Sequence, residues 1–173
     1  QNSQKSKFYS IIKNELGAIS KSKLVLEYGC SIGILGSFLA DSNQTVFGID
    51  RSFNAISIAK KTQKDNLDYF VADLMSDVFG KTKFDLILAL NVLELVEPKD
   101  LLQHVSKQIL KGNFVISDPY DFDRGKNSVK KPLDELALRA SLEELGFAIT
   151  VKTKKPSYLT WNLKLNPRTT LNY

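Results

Sequence analysis

The sequence is poor in residues that staple a fold or ligate a metal. Its 173 residues include one cysteine, Cys30, and one histidine, His104. A lone cysteine closes no internal disulfide and supplies no metal cage by itself. No metal site is expected, and a reducing compartment, the cytoplasm, is the expected location. Long hydrophobic runs are missing as well. The longest, such as Phe84 to Leu90, fall well short of the roughly 20 apolar residues of a spanning helix. No signal-peptide pattern opens the chain, so no membrane partner is expected. Repeats and low-complexity stretches are absent. The first residue is Gln1 rather than Met, and the chain stops at Tyr173 inside the strand-like run Thr169-Thr170-Leu171-Asn172-Tyr173. Both features suit a piece of a longer protein.

What is present is 43% apolar residues, enough for one sizeable core, and a single domain over residues 1–173 is expected. The net charge of +5 is unevenly spread. Residues 1–23 carry +4 (five lysines, one glutamate), 24–125 carry −4, and 126–173 carry +5. Basic ends around an acidic middle would suit an anionic substrate, nucleic acid or membrane headgroups, although solvated lysines give the same totals.

Strand-like and helix-like patterns alternate along the chain, the arrangement that predicts parallel strands joined by crossover helices. Phe8, Ile11, Ile12 and Leu16 lie at helical spacing, predicting a leading helix over 5–16. Strands are expected at Leu24 to Glu27, Thr45 to Ile49, Leu67 to Ala72, Phe84 to Leu90, Asn113 to Ser117 and Phe147 to Thr153. The run Phe84 to Leu90 is apolar almost throughout, as befits a central strand buried on both faces. Helices are expected at about 33–41, around Ala55 to Ala59, from Pro98 to Leu110 with Gly112 as its stop, and from Pro132 to Leu145 with Gly146 as its cap. Alternation of Leu159, Trp161, Leu163 and Leu165 makes the tail extended. The polar loop Asp121 to Lys131 is expected to be mobile. The expected architecture is a three-layer α/β/α sandwich with a mostly parallel sheet and an antiparallel C-terminal strand. A cofactor-binding half (24–97) would precede a substrate-side half (98–173).

Ligands of open parallel sheets sit outside the carboxyl ends of the strands, so the residues ending strands one to four belong together. Strand one delivers Glu27-Tyr28-Gly29-Cys30-Ser31-Ile32-Gly33, a glycine-bearing turn that a ligand can approach closely. Strand two delivers Asp50, a carboxylate able to accept from both ribose hydroxyls. Asp73, at the end of strand three, could accept from an exocyclic adenine amine. Asn91 closes strand four. A nicotinamide dinucleotide site wants Gly-x-Gly-x-x-Gly. The corresponding positions are Gly29, Ser31 and Ile34, and Gly36 falls two residues too late.

Over residues 24–155 the chain resembles the class I, Rossmann-like S-adenosylmethionine-dependent methyltransferases, whose first motif is an acidic residue followed by Gly-x-Gly-x-Gly. The resemblance implies S-adenosylmethionine as cofactor and assigns roles by position. Glu27 would help hold the methionine amino group through the turn, Gly29 and Cys30 would line the methionine moiety, and Gly33 would open the helix. Asp50, followed by Arg51, would bind the ribose. Asp73 and Leu74 would read adenine, and Asn91 would face the methionine portion. The segment Asn91-Val92-Leu93-Glu94-Leu95-Val96 is similar to that of enzymes acting on small molecules, making a small-molecule acceptor the expected partner. RNA or protein methylation, suggested by the basic ends, and a binding module without catalysis are the alternatives. Ser31 departs from the motif at its middle glycine. Ser117-Asp118-Pro119-Tyr120 is similar to the signature of amino-methylating nucleic-acid enzymes, yet it follows strand five rather than strand four. Glu94, Asp118 and Tyr120 are the candidates for acid–base or pocket roles. His104 lies on a helix remote from the strand ends, and core packing is the expected role of Tyr158 and Trp161.

Overall fold

A computed structural model of the chain describes residues 2–19, 21–118, 129–150, 162–166 and 169–172, with backbone alone for 2–6 and for the last two ranges. In chain order the elements are α1 (Asn2–Gly17), β1 (Leu24–Tyr28), α2 (Gly36–Ser42), β2 (Thr45–Asp50), α3 (Phe53–Ala59) with a 3-10 turn (Lys60–Thr62), β3 (Leu67–Val71), β4 (Phe84–Leu90), α4 (Pro98–Gln108), β5 (Ile109–Ser117), α5 (Glu135–Glu144), β6 (Asn162–Asn166) and β7 (Thr169–Asn172). β1 to β5 form one sheet in the order β3-β2-β1-β4-β5. Every pairing in it is parallel.

The core follows from the two-residue period of the strands. Val25, Leu86 and Leu88 point to one face, where they pack with Ile12 and Leu16 of α1, Leu39 of α2 and Ile56 of α3. The alternate residues Leu26, Tyr28, Ile87 and Ala89 point to the other, against Leu101 and Val105 of α4. This is the expected three-layer arrangement. The chain reverses its winding between β1 and β4, and the carboxyl ends of these neighbours form the switch-point crevice.

Several expectations need correction. The antiparallel pairing near the C-terminus joins β6 to β7 in a separate two-stranded sheet, and the main sheet contains no antiparallel strand among the described residues. The second helix begins at Gly36 rather than 33, because Gly29, Ser31 and Gly33 all take positive φ (66°, 51° and 76°), outside the helical range. α4 stops at Gln108, and β5 starts at Ile109 instead of Asn113. Gly112 is no helix stop. A Cβ there would lie 2.3 Å from the Asp85 carbonyl oxygen, so the residue allows β5 to press against β4 where the register shifts. α5 begins at Glu135, where the Asp134 side chain accepts from the Ala137 N–H, and it ends as expected at Gly146. There Phe147 N–H donates to Leu142 and Gly146 N–H to Glu143, the paired bonds of a Schellman cap. Residues 147–150 are not strand, and the rest of the expected sixth strand lies outside the described residues. So do Pro119 to Ser128, Tyr158 and Trp161.

Candidate cofactor site

The site is built on the turn after β1. Its backbone is held by three bonds: Cys30 N–H donates to Ile49 O (3.0 Å), Gly33 N–H to Cys30 O (2.9 Å), and Ser31 N–H to Asp50 Oδ2 (2.9 Å). Asp50 also accepts from Ser52 N–H through Oδ1 (2.8 Å), so one carboxylate ties the first turn to the start of α3. Each of its oxygens keeps a lone pair. At Gly29 a Cβ would meet Val92 Cγ1 at 2.6 Å, which leaves a bare backbone on the crevice wall.

Behind the turn stands a residue that sequence reasoning missed. Tyr69 of β3 is 1% exposed, and its ring fills the space over three glycines. A Cβ would approach it to 2.5 Å at Gly33, 1.9 Å at Gly36 and 2.7 Å at Gly48. The only local signal was the small residue on each facing element, and nothing in the sequence says which aromatic fills the gap.

An open groove is lined by Gly29, Asp50, Arg51, Asp73 and Leu74, with Leu95 and Val96 alongside. Five sequence-assigned residues therefore meet on one wall. Leu95 and Val96 were legible only as members of the segment after β4. Asp73 sits in a loop bonded to itself, with Met75 N–H donating to Oδ1 at 2.8 Å. That loop is anchored by Phe79, whose ring stacks on Phe47 and meets Phe84 edge-on, each at 5.3 Å between centroids.

Glu27, in β1 two residues before Gly29, is 5% exposed, with Oε2 lacking a hydrogen-bond partner. Burial, and then the neighbouring Asp50 charge, push its carboxyl up to about 8. Burial, and then Glu27, also raise the Tyr9 phenol of α1 above its usual value. Cys30 is buried in the core cluster and its thiol is pushed far up by burial, so it is no thiolate nucleophile at neutral pH. Asn91 adopts φ 57° and donates its N–H to Ser117 O (2.8 Å), binding the ends of β4 and β5 together. Its Oδ1 and the Ser117 Oγ are buried without partners. Glu94 and Asp118 are half-buried in the segments that follow β4 and β5, while Tyr120 lies outside the described residues. His104 sits on α4 beside Tyr28 and 4.0 Å from Asp77.

This arrangement excludes a phosphate cradle. Such a site needs free amides and a helix N-terminus aimed at the anion. Here three amides of the turn are already bonded, α2 starts three residues beyond Gly33, and carboxylates flank the turn. Buried, unpartnered acceptors suit a ligand with hydroxyls, amines and positive charge instead.

Residues 2–145 match the model of the methyltransferase domain. The chain belongs to that family. It is 34% identical over 101 residues to a ubiquinone biosynthesis O-methyltransferase of Pelagibacter ubique, a match covering 56% of this chain and 41% of that protein. The chain thus spans less than half the length of this relative. Among solved structures, an S-adenosylmethionine-dependent methyltransferase from Mesorhizobium loti superposes with a TM-score of 0.63 at 22% identity, covering 76% of each chain. The N-methyltransferase NodS of Bradyrhizobium japonicum with S-adenosylhomocysteine does so with a TM-score of 0.56 at 20% identity, over 65% of this chain and 60% of that one. At these identities the structures establish the shared fold. Among the described residues, no helix is long and apolar enough to cross a membrane, and no cluster of metal-ligating side chains occurs.

Proposed function

We propose that the chain is the cofactor-binding and catalytic part of an S-adenosylmethionine-dependent methyltransferase acting on a small acceptor. The observation that carries this reading is the pairing of a turn whose Cys30, Ser31 and Gly33 amides are already bonded with three carboxyl groups, Glu27, Asp50 and Asp73, at adjoining strand ends. That combination rejects phosphate and suits a nucleoside with a cationic tail.

Bound there, S-adenosylmethionine supplies a methyl group activated by a positively charged sulfur. The chain supplies position. Asp50 would accept from the ribose hydroxyls with its spare lone pairs, and Arg51 borders the same wall. Asp73 and Leu74 would hold the adenine. Glu27 would ionise against the ammonium of the methionine part and present the acceptor that is unpartnered in its absence. Gly29 and the Cys30 backbone would flank that part, with Gly33 closing the turn and the Asn91 carboxamide facing it from β4. Holding the acceptor atom in line with the breaking bond and excluding water from it account for most of the rate such a site provides. An acceptor that must lose a proton would give it to Glu94 or Asp118, with Tyr120, two residues beyond Asp118 in the sequence, as a further candidate. The O-methyltransferase relative supports a small, hydroxyl-bearing acceptor. An RNA acceptor finds little support at the groove, whose charged lining is Asp50, Asp73 and Arg51.

Calorimetric titration of the intact chain with S-adenosylmethionine tests the reading. One saturable site is expected, and no binding would overturn it. Asp73→Ala should weaken that affinity by about 1–3 kcal/mol, the range for lost hydrogen bonds to a charged group, with a small fall in melting temperature from the lost Met75 N–H bond. Unchanged affinity would remove Asp73 from the site. Labelled methyl donor incubated with cell extract should mark the small-molecule fraction and leave RNA unlabelled.

A further inference from the structure

The opposite edge of the sheet carries a feature that the cofactor site does not use. Lys21-Ser22-Lys23 leads directly into β1, and Lys81-Thr82-Lys83 leads into its neighbour β4. Lys107-Gln108-Ile109-Leu110-Lys111-Gly112 forms the junction of α4 and β5, the next strand along. The three segments contain six lysines, all exposed, and no acidic residue. Parallel pairing brings them together at one edge. The backbone N–H groups of Lys23 and Leu24 both donate to Asp85 Oδ2 at 3.0 Å, and the Lys83 ammonium donates to the Lys107 carbonyl. Asp85, the acidic group among them, is thereby engaged by backbone amides.

A leucine stands within this lysine field. Between the pairs Phe84↔Ile109 and Leu86↔Asn113, the single residue Asp85 faces Leu110, Lys111 and Gly112, so β5 bulges outward. Gly112 takes the inner position against the Asp85 carbonyl, and Leu110 is pushed to 83% exposure between Lys107 and Lys111. A bulge that re-aims side chains at a sheet edge is a built feature rather than a slack loop.

We propose that this amino edge is a docking surface for an anionic lipid membrane, with the lysines at the headgroups and Leu110 inserted between them. Clustered lysines beside an apolar side chain match such a surface, each lysine drawn by its negative potential. The three segments hold no arginine for bidentate phosphate recognition and no aromatic residue on which bases could stack, which disfavours nucleic acid. Peripheral contact needs no spanning helix, and it revises the expectation of no membrane partner. Five to seven residues of β1 and β4 separate this edge from the groove, about 17–23 Å at roughly 3.3 Å per residue. Docking therefore leaves the groove open to water.

Flotation of the intact chain with phosphatidylcholine vesicles, with and without phosphatidylglycerol, tests the surface. Binding is expected only with phosphatidylglycerol and should fall steeply with added salt. Lys81→Gln/Lys107→Gln/Lys111→Gln should lose affinity about five-fold per lysine, the equivalent of the roughly 1 kcal/mol each contributes. Leu110→Gln should weaken binding several-fold while leaving the salt dependence unchanged. Both variants should titrate with S-adenosylhomocysteine as the parent does, showing that the fold is intact. Equal vesicle binding by parent and lysine variant would overturn the proposal, as would binding of single-stranded RNA in place of vesicles.

Discussion

Ser31 stands where the motif has glycine, and its φ of 51° places it in the left-handed region. For an L-residue this conformation costs about 1–2 kcal/mol. Ser31→Gly should relieve the strain, offset partly by the greater freedom of glycine in the unfolded chain, for a net gain of about 0.5–1 kcal/mol in urea unfolding. A loss of stability would show that the serine hydroxyl compensates its own strain. Glu27 makes the opposite kind of contribution. Its folded carboxyl titrates near 8 against the 4.5 of an exposed glutamate, so the folded state binds the proton more tightly. The neutral form is tolerated in full below pH 4.5, and stability falls as pH rises from there to about 8. Glu27→Gln, neutral at every pH, should flatten this fall and leave the variant about 2–4 kcal/mol more stable than the parent at pH 8.5, less at pH 5. Melting curves across that window decide it, and a parallel shift at all pH values would remove the titration from Glu27. The same substitution should weaken S-adenosylmethionine binding, because the ligand ammonium then loses its counter-charge.

At the scale of elements, legibility followed how local the signal was. β4 was readable to the residue, since six apolar residues, interrupted only by Asp85 and flanked by Lys83 and Asn91, leave one assignment. β2 and β3 were displaced by a single residue at their ends, because Asp50 and Asp73 mark where the chain leaves the sheet. The stop of α4 was misread. Ile109 continues the helical spacing of Leu101, Leu102 and Val105, and Gly112 looks like a cap, yet pairing with β4 outweighs that pattern. No local rule reports a register shift in a neighbouring strand. Gly112→Ala tests this account: a methyl 2.3 Å from the Asp85 carbonyl must move backbone, costing roughly 1–3 kcal/mol. A neutral result would place the residue in a cap after all. In the site, Asp50, Arg51, Asp73 and Leu74 were legible because strand ends converge whatever the side-chain packing. Tyr69 was not, since the glycines it packs on come from two segments remote from it in sequence, Gly33 and Gly36 after β1 and Gly48 in β2.

For the whole molecule, ligand and fold are linked by mass action. S-adenosylhomocysteine at about 100 times its dissociation constant should stabilise the chain by roughly 2.7 kcal/mol. For a chain of this size that is a rise of about 5–10 °C in melting temperature, whereas a nicotinamide dinucleotide should give none. An equal rise with the dinucleotide would mean that the turn does bind phosphate. A different consequence attaches to Tyr69. Its phenol makes Gly36 obligatory only while the ring is there, whereas Gly48 is also hemmed by the Cys30 Cβ at 3.0 Å; positions 36 and 69 are therefore epistatic, Gly36→Ala being harmful beside tyrosine and tolerable beside alanine at position 69. Gly33 escapes that bargain, because its φ of 76° would disfavour a side chain even with the ring removed. Sequences drifting within this fold can therefore exchange the aromatic and Gly36 only together, and variation at position 69 sets whether the first residue of α2 is free to change.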